Sequence, residues 1–384
     1  MKKIILVLVI ILFTSCKSLS IISNDDVKSK SSSEKITLKD NRILISCDLE
    51  DKPQTFLVDL GVTTSVIFDT LVIPNYHKIK KGNFGHLKSA DNKNSKIVFI
   101  ALKVKNNVVE GTKKAFVVLP SYKQSLQNYD CVPVNILKDN IGLFGYDFFR
   151  DSEYVTMIDF DKLYISNYKN ERLNELIQDG FTEIKSEFKY QWLSIFVIIN
   201  NVEYKFKMDT GFSGSFSIPF SKKISFLQEE HQSIQGSLYQ TASGLTKENI
   251  DYIFSNKELI FNNNNYKTSL TISKAIQAQN VGMGFIKGFN WIIDSKNKKI
   301  YAKKNSLELD TNSAFTKKHV VVASNHQLKI IYKNVTEIKY NVGDEITSIN
   351  NQKVTPENIC EMQDLLNKTD DWNALKLVIV APPK

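Results

Sequence analysis

The chain has 384 residues, 42% of them hydrophobic and 24% charged, with 50 basic and 41 acidic side chains that leave a net charge of +9. That length exceeds one ordinary core and calls for two or three domains, while the composition is that of a folded globular chain and excludes a disordered or membrane-embedded one. The basic residues are scattered and form no stripe interleaved with aromatics, so they read as solvated surface and not as a nucleic-acid interface, with attraction to anionic lipid as the alternative.

The first residues carry an address. Lys2 and Lys3 precede an apolar run over residues 4–13, followed by Thr14-Ser15-Cys16. Ten apolar residues cannot span a bilayer as a helix, which needs about 20. Small residues directly before a cysteine at the end of so short a run resemble a bacterial lipobox, although Phe13 stands where Leu is usual. The resemblance implies that Cys16 is lipidated, becomes the mature N-terminus, and ties an exported chain to the bacterial cell envelope, at the outer membrane or periplasmic face. An ordinary cleaved signal peptide with an incidental cysteine is the other reading. Residues 17–35, Ser-rich and without apolar periodicity, read as a flexible tether.

From residue 36 to 305 short β-type runs alternate with Asn, Gly, Asp and Ser, as at 43–47, 193–199 and 266–272, which predicts an all-β fold. The Asn run at 262–265 predicts a hairpin turn, because Asn tolerates left-handed backbone. The same order of features then occurs twice. Thr55-Phe56-Leu57-Val58 leads into Asp59-Leu60-Gly61 and a second short strand; Tyr204-Lys205-Phe206-Lys207-Met208 leads into Asp209-Thr210-Gly211 and another. Further on, Ile141-Gly142-Leu143-Phe144-Gly145 and Met157-Ile158-Asp159 find counterparts in Val281-Gly282-Met283-Gly284 and Ile292-Ile293-Asp294. A lone Asp-Thr-Gly is only a turn signal; the repeated composite is much more specific.

This composite resembles the aspartic proteases, in particular bacterial retropepsin-like proteins that carry two such lobes in one chain. The resemblance implies a bilobal β fold with lobes at 36–170 and 171–305, a peptide or protein substrate in the cleft between them, and a monomer. It implies Asp59 and Asp209 as a catalytic pair sharing one proton, because two carboxylates that close cannot both ionise. One deprotonates a water for attack on a peptide carbonyl while the other protonates the carbonyl oxygen; neither metal nor organic cofactor is needed. Gly61 and Gly211 are implied to allow the tight turns, Thr210 to bond across the lobes beneath the pair, and Thr63 and Ser213 to orient the carboxylates. Flap hairpins are expected over 81–99 and 235–248. Leu60 and Phe212 depart from the family pattern. A peptide-binding envelope lipoprotein on the same fold, impaired in catalysis, is therefore the alternative to an active endopeptidase.

Other chemistry is thin. His77, His86, His231, His319 and His326 show no metal spacing, and Trp192, Trp291 and Trp372 read as packing residues. Cys47, Cys131 and Cys360 read as buried free thiols, with a Cys47–Cys131 disulfide as the alternative. Residues 308–384 change pattern: strands at 320–323 and 329–332, Gly343-Asp344-Glu345-Ile346 leading to Ile349-Asn350, a helix predicted over 356–366 behind a Thr355 cap, and a last strand at 375–380. This order resembles a PDZ domain and implies a peptide partner there; a small α+β cap on the second lobe is the other reading.

Overall fold

The computed structural model describes residues 26–79, 81–88, 93–119, 129–131, 140–189, 192–237, 239–241, 244–312 and 317–382. Cys16 and the expected lipobox lie outside them. Within them the fold is all-β: two sheets of fourteen and thirteen strands, a two-stranded hairpin, and short helices. The local cause is period-two patterning. In Arg42–Leu49 the side chains of Ile43, Ile45, Cys47 and Leu49 are buried while those between are partly or fully exposed, and Trp192–Ile199 repeats the arrangement with Leu193, Ile195, Val197 and Ile199. Tight two-residue turns join neighbouring strands wherever two successive residues take positive φ, as at Asp40-Asn41, Asn200-Asn201 and the expected Asn262-Asn263.

The two halves use one strand plan. Lys52–Val58 runs parallel to Asn140–Phe144, and Val66–Ile67 pairs antiparallel with that same strand. In the second half Val202–Met208 runs parallel to Asn280–Val281, and Phe216–Pro219 is antiparallel to it. The register sets Val58 beside Phe144 and Met208 beside Val281. The counterpart of Gly145 is therefore Gly282, two residues before the Gly284 that the sequence pattern suggested. The halves also share strands: Tyr154–Asp159 pairs with Phe289–Asp294, with Met157 opposite Ile292. One apolar core runs through both.

Residues 319–380 have a separate core, built from Val321, Ala323, Leu328, Ile330, Ile346, Ile359, Leu366 and Trp372. Their strands continue the second sheet, since Gln327–Asn334 pairs with Gln232–Gly236.

Three expectations need correction. The tether is shorter than 17–35: Lys28–Ser29 and Ser33–Lys39 are strands, and Ser33, Glu34 and Lys35 pair with Ser166, Ile165 and Tyr164. Polar residues suffice there because the main chain does the bonding and every side chain of the strand except Ile36 is partly or fully exposed. The C-terminal helix spans Ile359–Lys368, not 356–366. Asn358 begins it, and residues 355–358 form a turn in which the Asn358 side chain accepts from the Thr355 N–H. Finally, Cys131 and Cys360 form a disulfide with Cα atoms 5.2 Å apart, while Cys47 is a buried free thiol. Free thiols were expected at all three positions, with a Cys47–Cys131 bond as the alternative because both fall in one half; spatial proximity decides otherwise for Cys131 and Cys360.

Candidate active site

Each aspartate ends a central strand and begins a turn whose bonds repeat across the halves. Asp59 N–H donates to the Phe144 carbonyl at 2.9 Å, and Asp209 N–H to that of Val281 at 2.9 Å. Val62 N–H returns to the Asp59 carbonyl at 3.3 Å, Phe212 N–H to that of Asp209 at 3.1 Å. Tyr146 N–H then reaches Val62 and Met283 N–H reaches Phe212, at 2.9 and 2.8 Å. Stacked rings of Phe56, Phe144 and Phe148, with centroids 4.1 and 3.7 Å apart, back the first turn; Phe206, Phe216 and Phe285 back the second.

The two turns meet face to face. A Cβ built on Gly61 would lie 2.6 Å from Cγ of Asp209, and one on Gly211 would lie 2.5 Å from Oδ2 of Asp59. Each carboxylate thus packs on the other half's glycine, and no side chain larger than hydrogen fits at either position. Both glycines serve close approach; neither has the left-handed φ that a turn-based role would need. Asp59 is buried and its carboxyl is pushed up to about 7, first by burial and then by the Asp209 charge beside it; the Lys207 ammonium pulls the other way.

Thr210 bonds across the halves beneath the pair. Its hydroxyl accepts from Leu60 N–H at 2.9 Å and donates to the Val58 carbonyl at 2.8 Å. Leu60 is fully buried in the common core and offers no reciprocal bond. The Thr63 and Ser213 hydroxyls do not orient the pair. Main-chain groups do so instead: Gly61 N–H donates to Asp59 Oδ1 at 2.8 Å, and Phe212 N–H to Asp209 Oδ1 at 3.0 Å. Thr63 and Ser213 lie past the turn and half exposed. The buried hydroxyls are two residues further on. Ser65 donates to Asp147, which also pairs with buried Lys114, and Ser215 donates to the Asp310 carbonyl.

The unusual Phe212 is accommodated by glycines, since a Cβ at Gly214 or Gly282 would fall 2.5 Å from atoms of its ring.

Two site residues escaped the sequence reading. Asn280 donates its carboxamide to Asp209 Oδ2 at 2.7 Å. Lys207 Nζ donates to the Gly61 carbonyl at 2.9 Å and lies 4.7 Å from the centroid of the Trp192 ring, which is 47% exposed and is not the packing residue expected. In the register of the repeat, Asn280 corresponds to Leu143 and Lys207 to Leu57. A polar residue where its counterpart is apolar was the available signal. Trp291 and Trp372 are buried as expected. Among the described residues no cluster of three His, Cys, Asp or Glu could hold a metal ion, and no helix is long and apolar enough to cross a membrane.

No protein-family model matches the chain, and no curated protein does. Among solved structures it is similar to conglutin gamma, a basic 7S globulin from lupine seeds, at 8% identity over 73% of this chain and 96% of that one, with a TM-score of 0.45.

Proposed function

We propose that the protein is an aspartic endopeptidase that hydrolyses peptide bonds with a water activated between Asp59 and Asp209. The observation that carries this reading is the mutual packing of each carboxylate on the opposite glycine, which puts two acids within reach of one water. The pair is asymmetric. Asp209 accepts hydrogen bonds from the Phe212 N–H and the Asn280 carboxamide, whereas Asp59 accepts one from Gly61 N–H. Asp59 is the more buried and holds its proton up to about 7. In this reading Asp209 takes the proton from the attacking water. Asp59 donates a hydrogen bond, then its proton, to the carbonyl oxygen, and the proton held by Asp209 passes to the leaving amine.

A catalytically impaired peptide-binding lipoprotein is the second reading, favoured by Leu60, which makes the cross-link beneath the pair one-sided. Cleavage of denatured protein or a mixed peptide pool by the chain from Asp26 onward separates the two. The endopeptidase reading expects cleavage by the unsubstituted chain, lost in both Asp59→Asn and Asp209→Asn. Binding of peptides without any cleavage in the unsubstituted chain would leave the second reading.

Two like halves in one chain support a monomer, and the short apolar run before Cys16 supports lipid anchoring of an exported chain. The anchoring is tested by intact mass after expression in a bacterial host with and without Cys16→Ser.

A further inference from the structure

Side chains at alternate positions of a strand share a face. This sets Glu203, Lys205 and Lys207 of Val202–Met208 beside Ile198, Phe196 and Ser194. The neighbouring strand Ser186–Lys189 adds Glu187 opposite Ser194 and Lys189 opposite Trp192. Both acids of this face are already engaged: Glu203 accepts from Lys185 at 2.7 Å, and Glu187 accepts from Lys205 at 3.3 Å. Lys207 is in a different position. Among the described residues no carboxylate forms an ion pair with it, and its ammonium donates to the Gly61 carbonyl at 2.9 Å.

The same register carries this face to the aspartates. Ser194 stands opposite Lys207, so Trp192, two residues before the one, is set opposite Asp209, two residues after the other. On its other edge Lys207 stands beside Asn280, whose carboxamide holds Asp209. The Gly61 that accepts from Lys207 packs on the Asp209 carboxylate, and the Lys207 charge acts on Asp59. The indole of Trp192 lies against this ammonium, with its ring centroid 4.7 Å from Nζ, and is 47% exposed. An ammonium with donors to spare and an indole left in water thus stand together at the edge of the candidate pair.

We propose that Lys207 and Trp192 form a subsite for an acidic side chain of the bound peptide. An extended residue covers about 3.5 Å, which places that side chain within about three residues of the bond that is cut. Its carboxylate takes the ammonium donors that Gly61 leaves over, in a charge-assisted bond. Its methylene stem lies on the open part of the indole and covers apolar surface that water now meets. A neutral amide gains the ring contact with a weaker bond, and a basic side chain meets the Lys207 charge; the subsite therefore ranks acid above amide above base. Glu187 does not fill it from within the chain, because Lys205 holds that carboxylate. The cleavage preference rests on the endopeptidase reading; recognition of the acid does not.

The test offers the full chain randomised peptides amidated at the C-terminus, so that every carboxylate in the pool belongs to a side chain, and locates the cut bonds by mass spectrometry. Asp and Glu are expected about tenfold over Asn and Gln at one fixed position near the cut, the least that a bond to a charged group gives. The enrichment should vanish in Lys207→Met and turn to Lys and Arg in Lys207→Glu. Lys205→Met removes the same charge two residues away and should keep the acidic preference. Absence of any acidic preference, or the same preference in Lys207→Glu, would overturn the proposal.

Where the chain or a variant cuts nothing, binding gives the same ratio. Of the three tryptophans Trp192 is the exposed one, so intrinsic fluorescence reports on this site, with Trp192→Phe as the blank. A Glu-rich pool should bind about tenfold more tightly than the same pool with Gln in its place, and Lys207→Glu should abolish the difference. That result without cleavage by the unsubstituted chain would support the subsite and remove the endopeptidase reading instead. Equal binding of the two pools would remove the subsite.

Discussion

Asp59 and Asp209 have the same covalent structure and sit in turns with the same hydrogen-bond pattern, so any difference between them must come from neighbours. Asn280 is one such neighbour. Replacing it with Leu, the residue at the equivalent position 143, removes a bond to a charged oxygen, an interaction of about 1.5–3 kcal/mol. The expected result is a fall of roughly 10–100-fold in kcat/KM with the melting temperature little changed, read by peptide cleavage and calorimetry. Lys207 acts on the other acid. Its charge holds the Asp59 carboxyl below where burial alone would put it, so Lys207→Met should move the alkaline limb of the pH–rate profile upward.

Stability gives the same asymmetry a second readout. An acid raised in the folded state to about 7 contributes stability below its unfolded value near 3.8 and loses it as pH rises through 7. Asp59→Asn should therefore match the unsubstituted chain at pH 4 and exceed it by on the order of 1–3 kcal/mol at pH 8, measured by denaturant titration. The aspartates themselves were legible because Asp-x-Gly appears twice. Asn280 and Lys207 were not, because their importance lies in a register that only the paired strands reveal.

Turns and strands explain how a departure from the expected motif is tolerated. Leu60 gives up a cross-half hydrogen bond of about 0.5–1.5 kcal/mol but buries a whole side chain, which contributes about 1.5–3 kcal/mol. Burial wins, and the Thr210 hydroxyl supplies both bonds beneath the pair, to Leu60 N–H and the Val58 carbonyl. The glycines permit no such exchange. Gly211→Ala puts a methyl 2.5 Å from Asp59 Oδ2, so cleavage should disappear while the β signature in circular dichroism persists. Strands were readable wherever period two was strict, as in Arg42–Leu49. The start of Ser33–Lys39 was missed, because the polar Ser33, Glu34 and Lys35 hide a strand held there by its main chain. The start of Ile359–Lys368 was misread because Pro356 suits both a first helical turn and the tighter turn that it occupies.

The whole molecule is two like halves joined by paired strands and a common core, with a separate C-terminal core whose strands continue the second sheet. Internal repetition made the halves visible in sequence. The tie between Cys131 and Cys360 was invisible, since its two ends lie 229 residues apart and no spacing rule connects them. The central claim is that one proton is shared by an unequal pair at the seam of the halves. Carbon-13 NMR titration of the aspartate side-chain carboxyls, with Asp59→Asn and Asp209→Asn used for assignment, measures that proton without any substrate. The expected result is one carboxyl titrating near 7, absent in Asp59→Asn and moved to lower pH in Asp209→Asn. Two carboxyls titrating independently near 4, each unaffected by loss of the other, would contradict it.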